Sequence, residues 1–264
     1  MNRRTLFALL AFCATFTVLT VGPRPSATAP ATSFFFTTGD ADGRMAAASR
    51  PESRHKIEIE AADDFILTSE TTIDRATFTG LLFHGGHGEI RDVVVEIYRV
   101  FPKDSDTART PHVPTRMNSP SDNAFADRSS DDKTLHFTAT VLDPNFQAAN
   151  SVIDGIHPSP DQVTGGEGPV AGQEVTFDVV FDPPLVLPAD HYFFVPQVEL
   201  QGRAGNFLWL SAPGPPLFTG DLQMWIRNGD LDPDWLRVGG DIVGPTPALG
   251  PRFNGSFSLS GTTP

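Results

Sequence analysis

Val175-Thr176-Phe177-Asp178-Val179-Val180-Phe181 decides the fold: every second side chain is apolar and large, and the residues between them are mostly polar or small. A period of two puts the apolar set on one face of an extended chain, so the segment reads as a half-buried β-strand. The same alternation recurs outward in both directions. It is seen in Ala76–Leu82, in Val93, Val95 and Ile97, and in Leu135, Phe137, Ala139 and Val141. Tyr192–Leu200, Phe207–Leu210, Leu222–Ile226 and Phe253–Leu259 extend the series, and Ile57, Ile59 and Phe65-Ile66-Leu67 begin it. Helical periodicity is hard to find, while 24 prolines and 23 glycines punctuate the chain throughout. The expected fold is all-β: a jelly-roll-like antiparallel β-sandwich of about nine or ten short strands. With 21 phenylalanines against two tyrosines, phenylalanine is the expected core filler.

The first residues differ from the rest. Arg3 and Arg4 precede an uncharged apolar run from Leu6 to Val21, and Gly22, Pro23 and Pro25 follow it. Small residues then occupy Ser26–Ala31. This order is that of a secretory signal peptide, with cleavage expected after Ala31. The apolar run falls short of the roughly 20 residues needed to span a bilayer. The lone cysteine, Cys13, lies inside it, so the mature chain has no disulfide and depends on its core. Loss of Arg3, Arg4 and Arg24 leaves 16 basic against 32 acidic side chains, a net charge of −16. Such a chain repels nucleic acid and anionic membranes, both of which call for Lys and Arg. No apolar anchor follows Phe257–Pro264, so release outside the cytoplasm is expected, with no membrane attachment once the leader is cut.

Three segments carry a family likeness. They are Glu60-Ala61-Ala62-Asp63-Asp64-Phe65, Leu187-Pro188-Ala189-Asp190-His191-Tyr192-Phe193 and Phe257-Ser258-Leu259-Ser260-Gly261. Together they resemble bacterial secreted β-sandwich domains that open on an A-D-D-F strand, carry an L-x-x-G-x-Y-W strand and finish on an F-x-L-x-G strand beside a surface-anchor tail. The likeness covers most of the mature chain. It departs at Asp190, where the usual residue is glycine, and in the missing tail. It implies export and a β-sandwich, and no particular activity.

The organisation expected from sequence is a leader over 1–31, a loose lead-in over 32–55 and a sandwich domain over 56–261. Two long polar loops interrupt the domain, near 102–133 and 143–172, and Asn145–Ile153 is a candidate for one short helix. In Asp63-Asp64, neighbours on a strand point to opposite faces, so one carboxylate must face inward and find an arginine, a backbone amide or an ion.

Candidate chemistry is sparse. Asp230, Asp232 and Asp234 alternate in an acid-rich turn, and Asp40 and Asp42 form a shorter version in the lead-in. Such carboxylates can converge on calcium, which takes six to eight oxygens. They equally fit turns whose aspartates bond their own backbone. His84-Gly85-Gly86-His87 suggests a metal pair, but its glycines also mark a hairpin turn, and zinc needs three or four ligands. Trp209, Trp225 and Trp235 are candidates for stacking on sugar rings, with Trp235 expected to be the most exposed; all three equally suit a core. No Gly-x-Ser-x-Gly elbow or phosphate-binding loop occurs. The function expected is therefore a secreted, non-catalytic β-sandwich that binds polysaccharide or extracellular matrix, with structural calcium. Two alternatives stand beside it: a polysaccharide hydrolase drawing on carboxylates such as Glu167 and Glu199, and a self-associating surface or matrix protein.

Overall fold

The computed structural model describes residues 31–54, 56–84, 86, 89–157, 163–214, 220–244 and 251–264. The leader read over 1–31 lies outside these, apart from Ala31. The fold is an all-β sandwich of two sheets, as the alternation predicts.

The first sheet has nine strands. At its centre β4 (Thr71–Phe83) pairs along one side with β9 (Val170–Leu187). Its other side is shared by β15 (Phe257–Thr263) and β11 (Asn206–Ala212). Beyond β15 lies β1 (Thr32–Thr37), and beyond β9 lies β7 (Leu135–Ala148). Next to β11 come β2 (Ala46–Ala48), β8 (Ser151–Val152) and the short β14 (Asn254–Gly255). The second sheet runs β13 (Leu236–Arg237), β12 (Trp225–Asn228), β3 (Ile59–Leu67), β10 (Asp190–Leu200), β5 (Ile90–Val100) and β6 (Pro120–Ser129). Every pairing is antiparallel except β2 with β8.

The alternating residues meet between the sheets. Phe78 stacks on Phe177 at 4.7 Å, and Phe194 on Phe257 at 4.9 Å, which joins strands of both layers. Trp209 is fully buried among them and donates its indole N–H to Ser256 O at 3.0 Å. Glycine is required where a ring crosses backbone: a Cβ on Gly255 would lie 2.2 Å from the Trp209 ring. Proline shapes β9. Pro183 and Pro184 have no N–H to give the ladder. The register with β4 jumps there, from Ile73 opposite Leu185 to Arg75 opposite Val180, and Arg128 takes up the freed Pro183 carbonyl at 2.9 Å.

Several expectations are corrected. Residues 32–55 are no loose lead-in: β1 and β2 both belong to the first sheet. The stretch 102–133 contains β6, and the stretch 143–172 contains the end of β7, β8 and the start of β9. Asn145–Ile153 supplies strand residues, with no helix. β4 and β5, which flank His84-Gly85-Gly86-His87, belong to different sheets, so they are not the two strands of one hairpin. His87 itself lies outside the described residues. The described strands number fifteen, because short edge pieces carry too few residues to show a period.

Candidate functional site

The outer face of the six-stranded sheet is not open to water. Ala62, Tyr98, Phe193, Val195, Trp225 and Trp235 form a second, small core there. Trp235 is only 1% exposed, which corrects the expectation of an exposed ring. Its N–H reaches Ser121 O at 3.2 Å, and the Arg227 guanidinium covers its face. Trp225 and Trp209 are buried as well. None of the three presents a ring to a sugar.

Arg227 is the centre of this small core. It donates to Glu60 through Nε, to the Tyr98 hydroxyl at 2.8 Å and to Asp232 at 2.7 Å. Tyr98 in turn donates to Glu60 at 2.8 Å and lies 3.3 Å from Glu96. Burial, and then the charge of Glu60, push the Glu96 carboxyl up to about 9. Nearby, His191 Nε2 is 2.6 Å from Asp64 Oδ2, and the Leu222 amide donates to Asp64 Oδ1 at 2.8 Å. The inward carboxylate of the pair is Asp63, which takes the Gly255 amide at 2.9 Å. Burial, reinforced by Asp64 and Asp221, raises its pKa well above the usual range.

The acid turn does not gather its aspartates. Asp232 faces Arg227. Asp234 is buried and receives Arg109 at 2.8 Å and the His112 amide at 2.6 Å, which fastens the loop before β6 to the turn. Asp230 is exposed and lines a cleft of about 330 Å³ with Glu52, Glu58 and Asp232. Burial, followed by Glu60, raises the Glu58 pKa. Asp42 caps its own turn, taking the Arg44 amide at 3.0 Å and the Ser211 hydroxyl at 2.5 Å. Among the described residues no group of three or more His, Cys, Asp or Glu is placed to hold a metal ion. Glu167 spends one oxygen on the amides of Ile153, Asp154 and Gly155, at 2.7–2.9 Å, and Glu199 pairs with Arg91 at 3.4 Å. The two candidate hydrolytic carboxylates thus serve separate local contacts.

The outer face of the nine-stranded sheet is different: it is open and lined with hydroxyls. Its register sets Thr37 opposite Ser258, Ser258 opposite Thr77, Thr77 opposite Asp178 and Asp178 opposite Thr138. The neighbouring row runs Thr79, Thr176, Thr140. Thr77 and Ser258 share a hydrogen bond of 2.6 Å, and Thr79 and Thr176 one of 3.5 Å. These side chains line a groove of about 410 Å³ that also takes in Phe35, Leu142 and Asp40. Phe35 is 69% exposed and Leu142 55%. Asp40, from the shorter acidic motif, bears on Glu174, whose pKa is raised by burial, by Asp143 and by Asp40. The hydroxyl rows escape sequence reasoning because each strand contributes only one or two of them. Their alternation with the core residues of β4, β7, β9 and β15 is the signal that could have found them.

No protein-family model, curated protein or solved structure matches this chain.

Proposed function

We propose that this chain is an exported, non-catalytic binding protein that holds polysaccharide on the outer face of its nine-stranded sheet. The single supporting observation is the groove in which Thr77, Thr79, Thr176 and Ser258 set hydroxyls side by side next to the exposed Phe35 ring. A hydroxyl both donates and accepts and turns to suit its partner, which matches the hydroxyls of a sugar. Across strands such groups repeat about every 4.8 Å, a regular array suited to a polymer. An exposed aromatic ring adds an apolar platform for the C–H face of a sugar ring. Export rests on the leader read at residues 1–31.

Affinity electrophoresis through gels containing soluble neutral and acidic polysaccharides tests this reading. Retardation is expected with at least one polymer and is expected to fall in Phe35→Ala and in the Thr77→Val/Thr79→Val double variant. Mobility unaffected by every polymer, or retardation that those variants leave intact, would reject it.

A second reading, hydrolysis of polysaccharide, has one observation in its favour. Glu58, its pKa raised, lines the same cleft as Asp230 and Asp232, and glycoside hydrolysis uses two carboxyls, one of them a general acid of raised pKa. It requires release of reducing ends that Glu58→Gln abolishes.

A further inference from the structure

β1 lies at one end of the nine-stranded sheet and, among the described residues, pairs with β15 alone. Its sequence, Thr32-Ser33-Phe34-Phe35-Phe36-Thr37, carries no charge, in a chain whose formal net charge is −13. An edge strand offers a row of amides and carbonyls to any second strand, and proteins commonly blunt such edges with charge, proline or bulges. β7, at the opposite end of the sheet, has these devices: Asp143, Pro144 and two register shifts against β9. β1 has none of them. Phe34 and Phe36 pack against the core yet remain only half-buried, so the sandwich leaves them incompletely covered at this edge.

We infer that β1 is a homophilic edge, at which two copies of this chain pair antiparallel about a two-fold axis and continue the sheet from one to the other. Opposite residues of an antiparallel pair share a face. With Phe35 opposite its own copy, Ser33 meets Thr37 and Phe34 meets Phe36. Each class of side chain meets its own kind, aromatic with aromatic and hydroxyl with hydroxyl, which is the self-complementarity an isologous contact demands. The partner Phe34 and Phe36 complete the cover that one copy leaves unfinished. Acidic copies repel elsewhere on their surfaces, so an uncharged strip is where they can approach. The hydroxyl-lined faces then run on from one copy into the other, and a polymer bound across both gains from multivalency.

Light scattering on the protein purified from expression of the full chain, over a wide concentration range, is expected to show the mass doubling as concentration rises. The Ser33→Glu/Phe35→Glu variant is expected to stay monomeric with an unchanged melt, since both side chains are exposed. Thr138→Glu on β7 is expected to dimerise as the parent does. In a Cys13→Ser background, Phe35→Cys is expected to form a covalent dimer under mild oxidation, because self-opposed Cβ atoms come within about 5 Å. Ser33→Cys, opposite Thr37, is expected to link far more slowly. A parent that stays monomeric throughout overturns the inference. So does a double variant that still dimerises, or loss of dimer in Thr138→Glu. None of these readouts involves a sugar, so their outcome is separate from that of the gel assay.

Discussion

The guanidinium of Arg227 lies 4.4 Å over the centroid of the Trp235 ring, and through this contact a charged strand residue and an aromatic from the acid turn bury one another. Glu60 and Asp232 hold the arginine in place from two sides. The outer face of the six-stranded sheet is therefore closed by a cation, where apolar residues alone would be the usual cover.

Removing that cation leaves Glu60 buried beside the Tyr98 hydroxyl and the Glu96 carboxyl, without its charged partner. Loss of one member of a buried pair typically costs about 3–5 kcal/mol. Arg227→Ala is expected to lose stability in that range by urea denaturation, with Trp235 fluorescence shifting to the red as water reaches the ring. Arg227→Lys is expected to recover only part of the loss, because a single ammonium cannot serve Glu60, Asp232 and the ring face together. A loss below about 1 kcal/mol in Arg227→Ala would show that the ring is sealed by something else.

Glu96 supplies a pH dependence. Its carboxyl ionises at an ordinary 4.5 when unfolded, and burial beside Glu60 raises it to about 9 in the fold. The native state thus holds a proton that the unfolded chain has released, so this group's contribution is full below the unfolded value and declines as pH rises toward the folded one. Glu96→Gln keeps the shape and cannot ionise. Its stability relative to the parent is expected to increase steadily from about pH 5 to about pH 8 in urea melts. A difference that stays constant across that range would mean that Glu96 is ionised in the native protein.

At Gly255 the constraint is steric. A methyl group there meets the Trp209 ring at 2.2 Å, and that ring is itself fixed by its bond to Ser256 O. Overpacking of this kind costs about 1–3 kcal/mol. Gly255→Ala is expected to lower the thermal midpoint, whereas Gly202→Ala, with nothing within 4 Å of its Cβ, is expected to show only the smaller strain of its positive φ. Equal midpoints for the two variants would mean that Trp209 moves aside freely.

The sandwich was legible wherever a strand has one face in the core, because Val175, Phe177, Val179 and Phe181 record that burial directly. It was illegible at the edges. β6 reads Pro-Ser-Asp-Asn-Ala-Phe-Ala-Asp-Arg-Ser, and an edge strand packed on one neighbour has no period strong enough to separate it from a loop. β1 was hidden for the opposite reason: three successive phenylalanines show no alternation, although the middle one faces water. The acid turn misled because spacing reveals which carboxylates are near in sequence and says nothing of the arginines that reach them. Arg109 and Arg116 come from a loop more than a hundred residues away. The burial of Trp235 was equally out of reach, since Tyr98 and Ser121 help to enclose it from distant strands.

The six-residue match of β1 to β15, Thr32 opposite Thr263 through Thr37 opposite Ser258, has a temporal side. A polypeptide emerging from the ribosome makes β1 long before β15, its ladder partner within the chain among the described residues. Until β15 is made, β1 lacks this ladder and the part of β4 that β15 flanks, from Thr72 to Phe78, stays bare. Such a long-range closure delays the finished sheet until both strands exist, because contacts far apart in sequence form slowly.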